Sequence, residues 1–313
     1  MSSFGLCGKT LKHSYSEIIH NLLGNHDYKL LNMSKEEFYD FMKKREFCGV
    51  NVTIPYKTDA LAACDSVSPE AAKIGSVNTV INRNGRLYGY NTDYFGFSYM
   101  LDSAGIDVTG KKALVLGTGG TSLTARHVLA DRKAAEVLIV SRTGEINYQN
   151  IYEHTDAEII VNTTPVGMFP NNGESPVELN RFPALCGAVD VIYNPLRTGF
   201  ISQALSLGIP AVSGLSMLVA QAVAAHEYFF GKPFENRGAV IREILAKCTA
   251  CAILYLSACR AAAKPRSERK FPTSPDFRFT MPTMLLPKPS AKRRNRSYAK
   301  AARTFSAEWK RKC

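Results

Sequence analysis

Residues 111–129 read KKALVLGTGGTSLTARHVL, and they combine two patterns that together indicate an α/β fold. The run 113–116 is continuously apolar, as in a strand buried on both faces of a parallel sheet, and the residues after the glycines have helical spacing. Glycines between such a strand and helix let the backbone approach a phosphate, which the free amides of the helix N-terminus bind. The candidate phosphate-binding residues are Gly117, Gly119, Gly120, Thr121 and Ser122.

The kind of phosphate follows partly from what this turn lacks. No Lys-Ser/Thr pair follows the glycines at the spacing of a P-loop, which excludes a nucleoside-triphosphate site of that type. The flanking strand and helix instead match a dinucleotide-binding βαβ unit. The alternative interpretation is a strand-to-helix turn that holds no ligand.

The next strand, AEVLIVSRT at 135–143, indicates which dinucleotide would bind. Proteins that bind NAD usually end this strand with Asp or Glu, which accepts hydrogen bonds from the ribose hydroxyls. Here the strand ends in Ser141, Arg142 and Thr143, and a guanidinium would attract the 2′-phosphate of NADP. We therefore predict NADP(H) as the cofactor, although Arg142 could also be a cation that only faces solvent.

Outward from this unit, the chain divides into three parts. Residues 101–213 alternate apolar strands with helices and predict a Rossmann-like, doubly wound parallel sheet. Residues 1–100 predict a separate α/β substrate-binding domain, which helices at about 214–247 complete. Residues 248–313 form a basic tail without sustained periodicity, for which the composition predicts disorder.

Four local signals lie in the first hundred residues. Asn84-Gly85 between two apolar runs predicts a β-hairpin with a two-residue turn. Ser34 and Glu37 form a capping box that predicts a helix start. Ser14 or Ser16 can cap a further helix, and the strand in GVNVTIPY is predicted to end at Pro55.

Uncharged polar residues cluster in four blocks of this region: KHSYSEIIH, GVNVTIPYK, SVNTV and YNTDYFG. Capping and turn chemistry would explain any one block, but it explains all four together less well. Ser14 and Ser16 could bind a carboxylate, and Asn51, Asn78 and Gln221 could bind hydroxyls, so the set suits a polyhydroxylated acid. Lys57 and Asp93 supply a cation and an anion, and a Lys held near an Asp can protonate a carbonyl oxygen that receives a hydride.

Charge is concentrated in the tail. The net charge is +12, but residues 248–313 carry 16 basic and 3 acidic residues, whereas residues 1–247 carry 23 and 24. No apolar run reaches the roughly 20 residues that a membrane-spanning helix needs, so no membrane partner is expected. Cysteines scattered without ligand spacing predict free thiols, a cytoplasmic protein and no metal site, since Cys248 and Cys251 lack a second pair.

Nine blocks of the chain resemble the shikimate dehydrogenase family, in the same order and over residues 4 to about 247. They are HSYSEIIH, GVNVTIPYK, SVNTV, NTDYFGF, LGTGGTS, VSRT, NTTPVGM, DVIYNPLRT and GLSMLVAQA. The resemblance implies reversible NADPH-dependent reduction of 3-dehydroshikimate to shikimate, on the route to chorismate and the aromatic amino acids. It implies that Lys57 and Asp93 are the catalytic pair, that Thr53 and Tyr193 join the substrate site, and that Gly214 and Met217 lie at the nicotinamide.

Alternatives remain at this stage. The family often carries a further basic residue after its Arg-Thr, but Gly144 and Glu145 follow here, so an NAD-using quinate/shikimate dehydrogenase stays open. The basic tail could bind nucleic acid, a partner that we do not expect because no aromatic residues interleave with its charges. The abrupt change of composition after Lys247 also suggests that residues 248–313 are an out-of-frame translation of downstream coding sequence. A monomer or a homodimer is expected.

Overall fold

The fold was obtained as a computed structural model, which describes the backbone of residues 4–11 and 14–263 and the side chains up to residue 250. The described residues up to Leu245 form one compact unit. No helix among the described residues is both long enough and apolar enough to cross a bilayer. Most of the predicted tail, 248–313, lies outside the described residues, as does the side chain of Cys251.

The N-terminal half is built on a mixed six-stranded sheet, as the predicted α/β domain requires. Its strands are β1 (Phe4–Gly8), β2 (Tyr28–Asn32), β3 (Gly49–Val52), β4 (Ser66–Val67), β5 (Thr79–Arg83) and β6 (Arg86–Tyr90). They lie in the order β2-β1-β3-β5-β6-β4, and β5 is antiparallel to both of its neighbours. The helices of this half are α1 (Ser16–Leu22), α2 (Lys35–Lys44), α3 (Lys57–Ala63) and α4 (Pro69–Ile74), and α5 (Thr92–Ser103) follows the sheet.

Two of the local predictions for this half are confirmed. Asn84 and Gly85 have φ values of 53° and 81°, and this turn joins β5 to β6 in an antiparallel hairpin. The Ser34 side chain accepts from the backbone N–H of Glu37, whose carboxylate accepts from the N–H of Ser34, so the capping box is present.

The other two predictions need correction. The predicted strand up to Pro55 ends earlier, because β3 stops at Val52 and α3 begins at Lys57. Tyr15 occupies the position before α1 and makes no side-chain cap, while Ser14 Oγ accepts from the N–H of Ser16.

The second sheet is entirely parallel and confirms the Rossmann-like prediction. Its strands are β7 (Lys112–Leu116), β8 (Glu136–Val140), β9 (Ile159–Asn162), β10 (Gly187–Asp190) and β11 (Ala211–Ser213), in the order β11-β10-β9-β7-β8. Helices α6 (Gly120–Asp131) and α7 (Gly199–Ser206) connect the strands. Between β8 and β9 the chain forms only a short 3₁₀ helix, Ile151–Glu153, in place of a covering α-helix.

The alternation of β7 shows why its sequence is apolar throughout. Ala113 and Val115 face a core formed with α5 and α6, whereas Leu114 and Leu116 face a second core formed with α7. Both faces of the strand are therefore buried, which a parallel sheet with helices on each side requires.

Helix α8 (Leu215–Phe230) packs against α5 so closely that a side chain on Gly96 would contact it. A Cβ on Gly96 would stand 2.7 Å from the carbonyl oxygen of Met217 and 3.0 Å from Cβ of Gln221. The last helix, α9, spans Arg237–Ala263 and continues 16 residues beyond the end predicted at Lys247. The contact between α5 and α8 places Asp93 and Gln221 on neighbouring helices.

Candidate active site

Lys57 and Asp93 form an ion pair at the starts of two helices. Lys57 is the first residue of α3, and Asp93 lies in the first turn of α5, where the side chain of Asn91 caps the helix. Lys57 Nζ donates to Asp93 Oδ2, and the side chains are 12% and 9% exposed. A lysine so positioned has a fixed ammonium group whose proton can be transferred to a neighbouring oxygen.

The glycine turn lies beside this pair. Gly117 follows β7 with a φ of 107°, and Gly119 precedes α6 without a side-chain cap. A Cβ on Gly120 would lie 3.5 Å from Cδ of Lys57, so the predicted cofactor turn and the predicted catalytic lysine are neighbours.

Two features of this turn suit a phosphate group. A Cβ on Gly119 would meet no atom within 4 Å, so the space above the helix N-terminus is open. The buried hydroxyl of Ser122, in the first turn of α6, has no hydrogen-bond partner. Thr121 lies between these residues in the same turn and is half-buried. Free amides, open space and an unsatisfied hydroxyl at one helix start match the needs of a pyrophosphate.

Three predicted hydroxyl-binding amides meet in one buried network. Asn51 Nδ2 donates to Thr79 Oγ1 at 2.9 Å, and Asn78 Nδ2 donates to Thr92 Oγ1 at 3.0 Å. Thr92 Oγ1 also lies 3.4 Å from Oε1 of Gln221, which α8 brings to the network. The structure therefore brings together residues that lie more than a hundred positions apart in sequence.

Thr79 and Thr92 are members of this network that the sequence reasoning missed. Both are buried, and Thr92 hydrogen-bonds to Asn78, Thr79 and Gln221. The sequence could have indicated both threonines, because each is adjacent to a predicted site residue: Thr79 follows Asn78, and Thr92 precedes Asp93.

Ser14, Ser16 and Tyr193 form a second polar group. The two serine hydroxyls lie 3.1 Å apart, and the Tyr193 ring is 5.3 Å from that of Tyr15. Burial raises the pKa of Tyr193 to about 12, while its hydrogen bond with Ser14 acts in the opposite direction. Tyr193 therefore carries a neutral hydroxyl beside the two serines at neutral pH.

Thr53 lies just beyond β3, close to the first strand. Its backbone N–H donates to the carbonyl of Cys7, and its methyl group would contact a Cβ placed on Gly8. The residue is half-buried. This position holds Thr53 at the carboxyl end of β3, four residues before Lys57.

Arg142 and Thr143 are exposed just beyond β8, and Ser141 is half-buried there. Burial raises the pKa of nearby Tyr148, and the positive charge of Arg142 opposes that rise. The glycine turn follows β7, and Ser141, Arg142 and Thr143 follow β8. Because β7 and β8 are neighbouring parallel strands, the turn and these three residues come after adjacent strand ends. An exposed arginine at this place is available to an anionic group.

Gly214 and Met217 lie at the start of α8. A Cβ on Gly214 would stand 2.0 Å from the carbonyl oxygen of Val191, so no other residue fits there. Met217 is 6% exposed and packs in the core beside Phe97. The carbonyl oxygen of Met217 is the atom nearest to a Cβ placed on Gly96, so Met217 contributes to the contact between α5 and α8.

Asp190, at the end of β10, is a buried carboxylate with three hydrogen-bond donors. Thr198 Oγ1 donates at 2.6 Å, and the N–H of Ile192 and Nδ2 of Asn162 each donate at 3.1 Å. Burial nevertheless raises the pKa of Asp190 from 3.8 to about 6. This group was not selected from the sequence, because a single Asp after an apolar strand carries no distinctive pattern.

The raised pKa of Asp190 predicts a pH-dependent stability. The folded protein binds this proton more tightly than the unfolded chain does, so the free energy of unfolding should fall by about 3 kcal/mol as pH rises from about 3 to 7. Urea unfolding across this range measures the slope, and Asp190→Asn should remove the falling contribution from it. Asp156→Asn should keep the fall and make it steeper, because hydrogen bonding with Lys112 lowers the pKa of that exposed group, and a lowered pKa contributes stability that rises with pH. Equal slopes in wild type and Asp190→Asn would contradict the assignment.

Comparison with known proteins identifies relatives over most of the chain. Residues 6–80 match the family model described as shikimate dehydrogenase substrate binding domain. A protein of Clostridium perfringens strain SM101, named shikimate dehydrogenase (NADP(+)), is 38% identical over 252 residues, covering 74% of this chain and 93% of the relative. A protein of the same name from Caldicellulosiruptor bescii is 39% identical over 258 residues, covering 74% of this chain and 90% of the relative.

Solved structures are similar as well. Shikimate dehydrogenase 1 from Peptoclostridium difficile superposes with a TM-score of 0.72 at 37% identity, covering 79% of this chain and 98% of that one. Shikimate 5-dehydrogenase from Thermus thermophilus, solved in complex with NADP(H) and shikimate, has a TM-score of 0.69 at 33% identity, covering 79% and 99%.

Proposed function

We propose that this chain, which belongs to the shikimate dehydrogenase family, catalyses the reversible NADP-dependent oxidation of shikimate to 3-dehydroshikimate. The observation that carries the proposal is the Lys57–Asp93 ion pair, largely buried and adjacent to the glycine turn at Gly120. A reductase of this kind needs a proton donor next to the hydride donor, and the position of Lys57 beside the glycine turn supports that arrangement.

The residues around the glycine turn fit NADP(H). The open space above Gly119 and the unpartnered Ser122 hydroxyl would receive the pyrophosphate, with Gly117, Gly120 and Thr121 completing the turn. Arg142, with Ser141 and Thr143, would hold the 2′-phosphate end. Gly214 and Met217, at the start of α8, would border the nicotinamide.

The chain's own residues handle the proton and the substrate orientation. When bound, NADPH supplies the hydride that reduces the carbonyl carbon, and NADP accepts it in the reverse direction. The Lys57 ammonium would give a proton from Nζ to the carbonyl oxygen as it becomes a hydroxyl. Asp93 holds that ammonium in place, and in the reverse direction the hydroxyl proton returns to Nζ.

The remaining polar residues would position the substrate. Ser14 and Ser16, with the neutral Tyr193 hydroxyl and Thr53 nearby, would bind the carboxylate. The amides of Asn51, Asn78 and Gln221 would bind the ring hydroxyls, since each is tied into one buried network. These groups are held in place before any substrate arrives, which lowers the entropic cost of orienting it.

Reduction of 3-dehydroshikimate by the full-length protein tests the proposal. We expect consumption of NADPH that depends on 3-dehydroshikimate, with shikimate as the chromatographically identified product. NADPH consumption without shikimate formation, or no consumption at all, would refute it.

Replacement of Gly119 by alanine should separate cofactor binding from folding. The added methyl meets no protein atom and the φ of −75° suits alanine, so the melting temperature should not change. The methyl would occupy space proposed for the pyrophosphate, and we expect the KM for NADPH to rise about tenfold, or ~1.4 kcal/mol. Steady-state kinetics and thermal unfolding measure the two effects. An unchanged KM with an unchanged melting temperature would contradict the phosphate assignment.

Two broader properties belong to the same proposal. The family and the thiols of Cys7, Cys48, Cys64 and Cys186, none of which forms a disulfide, support a cytoplasmic enzyme. We propose a monomer or a homodimer, and analytical ultracentrifugation of the full-length protein would distinguish the two.

A further inference from the structure

The amide of Asn51 has a defined orientation, because one of its neighbours can play only one hydrogen-bonding role. Its Nδ2 lies 3.3 Å from the backbone carbonyl of Asn78, which can only accept. Nδ2 also donates to Thr79 Oγ1, so Oδ1 must point the other way. Oδ1 is therefore an acceptor with two lone pairs to satisfy.

Tyr28 satisfies one of those lone pairs. This residue begins β2, is fully buried, and its hydroxyl donates to Asn51 Oδ1 at 2.8 Å. Burial raises the pKa of Tyr28 well above its ordinary value, which keeps the hydroxyl protonated. The hydroxyl and the Asn78 carbonyl together hold the Asn51 amide from opposite ends.

The ring of Tyr28 is itself held by aromatic neighbours. His20, from α1, stacks on it with centroids 3.9 Å apart and planes 10° apart. Phe229, from α8, lies 5.6 Å from His20 and 6.3 Å from Tyr28. Since α8 also carries Gln221, the same helix supports Tyr28 and supplies one amide of the network.

His20 is an uncharged member of this cluster. It is fully buried, and neither ring nitrogen has a hydrogen-bond partner of normal geometry. Burial lowers the pKa of His20 to about 3, the neighbouring His226 acts in the same direction, and the adjacent Asn51 side chain opposes the shift. The ring therefore acts as a neutral stacking surface for Tyr28 at neutral pH.

We infer that Tyr28, stacked on His20, is a positioning residue for substrate binding: its hydroxyl orients the Asn51 amide so that the second Oδ1 lone pair accepts from a substrate hydroxyl. This inference rests on the proposed function, since it assumes that Asn51 contacts the substrate. Tyr28 acts on the bound ring hydroxyl through Asn51 and takes no part in the proton transfer from Lys57.

Without the Tyr28 hydroxyl, the buried Asn51 oxygen would lose the 2.8 Å hydrogen bond from Tyr28, and the amide would lose one of its restraints. Substrate binding would weaken because part of its hydrogen-bonding energy would be spent on reorienting the amide. Cofactor binding would not change, because the glycine turn is not part of this network. The expected signature is a selective change in the KM for shikimate.

Tyr28→Phe tests the inference, because it removes the hydroxyl and keeps the ring that stacks on His20. We expect the KM for shikimate to rise about tenfold, with kcat changed less than about threefold and the KM for NADP unchanged. Tyr152→Phe is the matched control: its hydroxyl accepts from the N–H of Glu178 at 3.1 Å, within the other sheet's domain. We expect Tyr152→Phe to have the wild-type KM for shikimate, kcat and KM for NADP.

A double-mutant cycle with Asn51→Ala shows whether Tyr28 acts through Asn51. If it does, Tyr28→Phe should raise the KM no further once Asn51 is absent. Equal increases in both backgrounds, or a Tyr28→Phe variant that loses only melting temperature, would overturn the inference. Wild-type turnover of shikimate is measured in the same experiment, so failure of the proposed function is recognised separately from failure of this inference.

Discussion

Lys57→Ala is expected to lower kcat for shikimate oxidation by about a thousandfold, while the KM for NADP changes little. General acid–base groups contribute about 10²–10⁴-fold to rate, and Lys57 is the cation that Asp93 holds next to the glycine turn. Steady-state kinetics of the full-length variant measures the loss. Near-normal turnover would show that the proton comes from elsewhere.

Two further variants separate proton transfer from charge. Lys57→Arg keeps the positive charge but cannot give up a proton at accessible pH, so it should be impaired nearly as strongly as the alanine variant. Lys35→Ala removes a lysine that also pairs with an aspartate, Asp59 at 3.5 Å, but is 58% exposed on the surface of the same domain. It should retain full activity. An active Lys57→Arg variant would limit Lys57 to an electrostatic role.

Arg142→Ala is expected to raise the KM for NADP about 10- to 100-fold and to leave the KM for NAD nearly unchanged. The range corresponds to a charge-assisted hydrogen bond to the 2′-phosphate, which NAD lacks. Because Gly144 and Glu145 follow in place of another basic residue, Arg142 would supply most of this interaction. Kinetics with both cofactors measures the discrimination.

Arg181→Ala provides the control for this substitution. Arg181 is an exposed arginine between β9 and β10 of the parallel sheet, stacked 3.4 Å from the centroid of the Tyr152 ring, and it lies outside the proposed site. Its removal should change neither KM. Equal losses for NADP and NAD in the Arg142 variant would contradict the 2′-phosphate assignment and favour a general effect on the nucleotide domain.

Much of the fold could be predicted because local and global requirements agree. The apolar run of β7 reflects burial on both of its faces, and the glycines after it suit the tight passage from the strand into α6. Asn84-Gly85 specified its hairpin because both residues tolerate a positive φ. The helix boundaries were less predictable, and α9 continues well past Lys247 because nothing in that stretch stops a helix.

The residue types of the site could be predicted from the sequence, but the hydrogen bonds between residues that lie far apart in the chain could not. Polar residues without an obvious structural use pointed to Asn51, Asn78 and Lys57. Thr92 and Tyr28 were not singled out, because their roles depend on which chain segments the fold brings into contact. A tyrosine that begins an apolar strand has the sequence pattern of a core residue, and only the 2.8 Å contact with Asn51 distinguishes it.

A comparison of kcat/KM for shikimate and quinate, each with NADP and with NAD, decides which reaction the full-length protein catalyses. Arg142 beyond β8 favours NADP, and the relatives named shikimate dehydrogenase (NADP(+)) favour shikimate, so we predict that shikimate with NADP gives the highest value of the four. A higher value for quinate with NAD would contradict the proposed function and assign the chain to quinate oxidation.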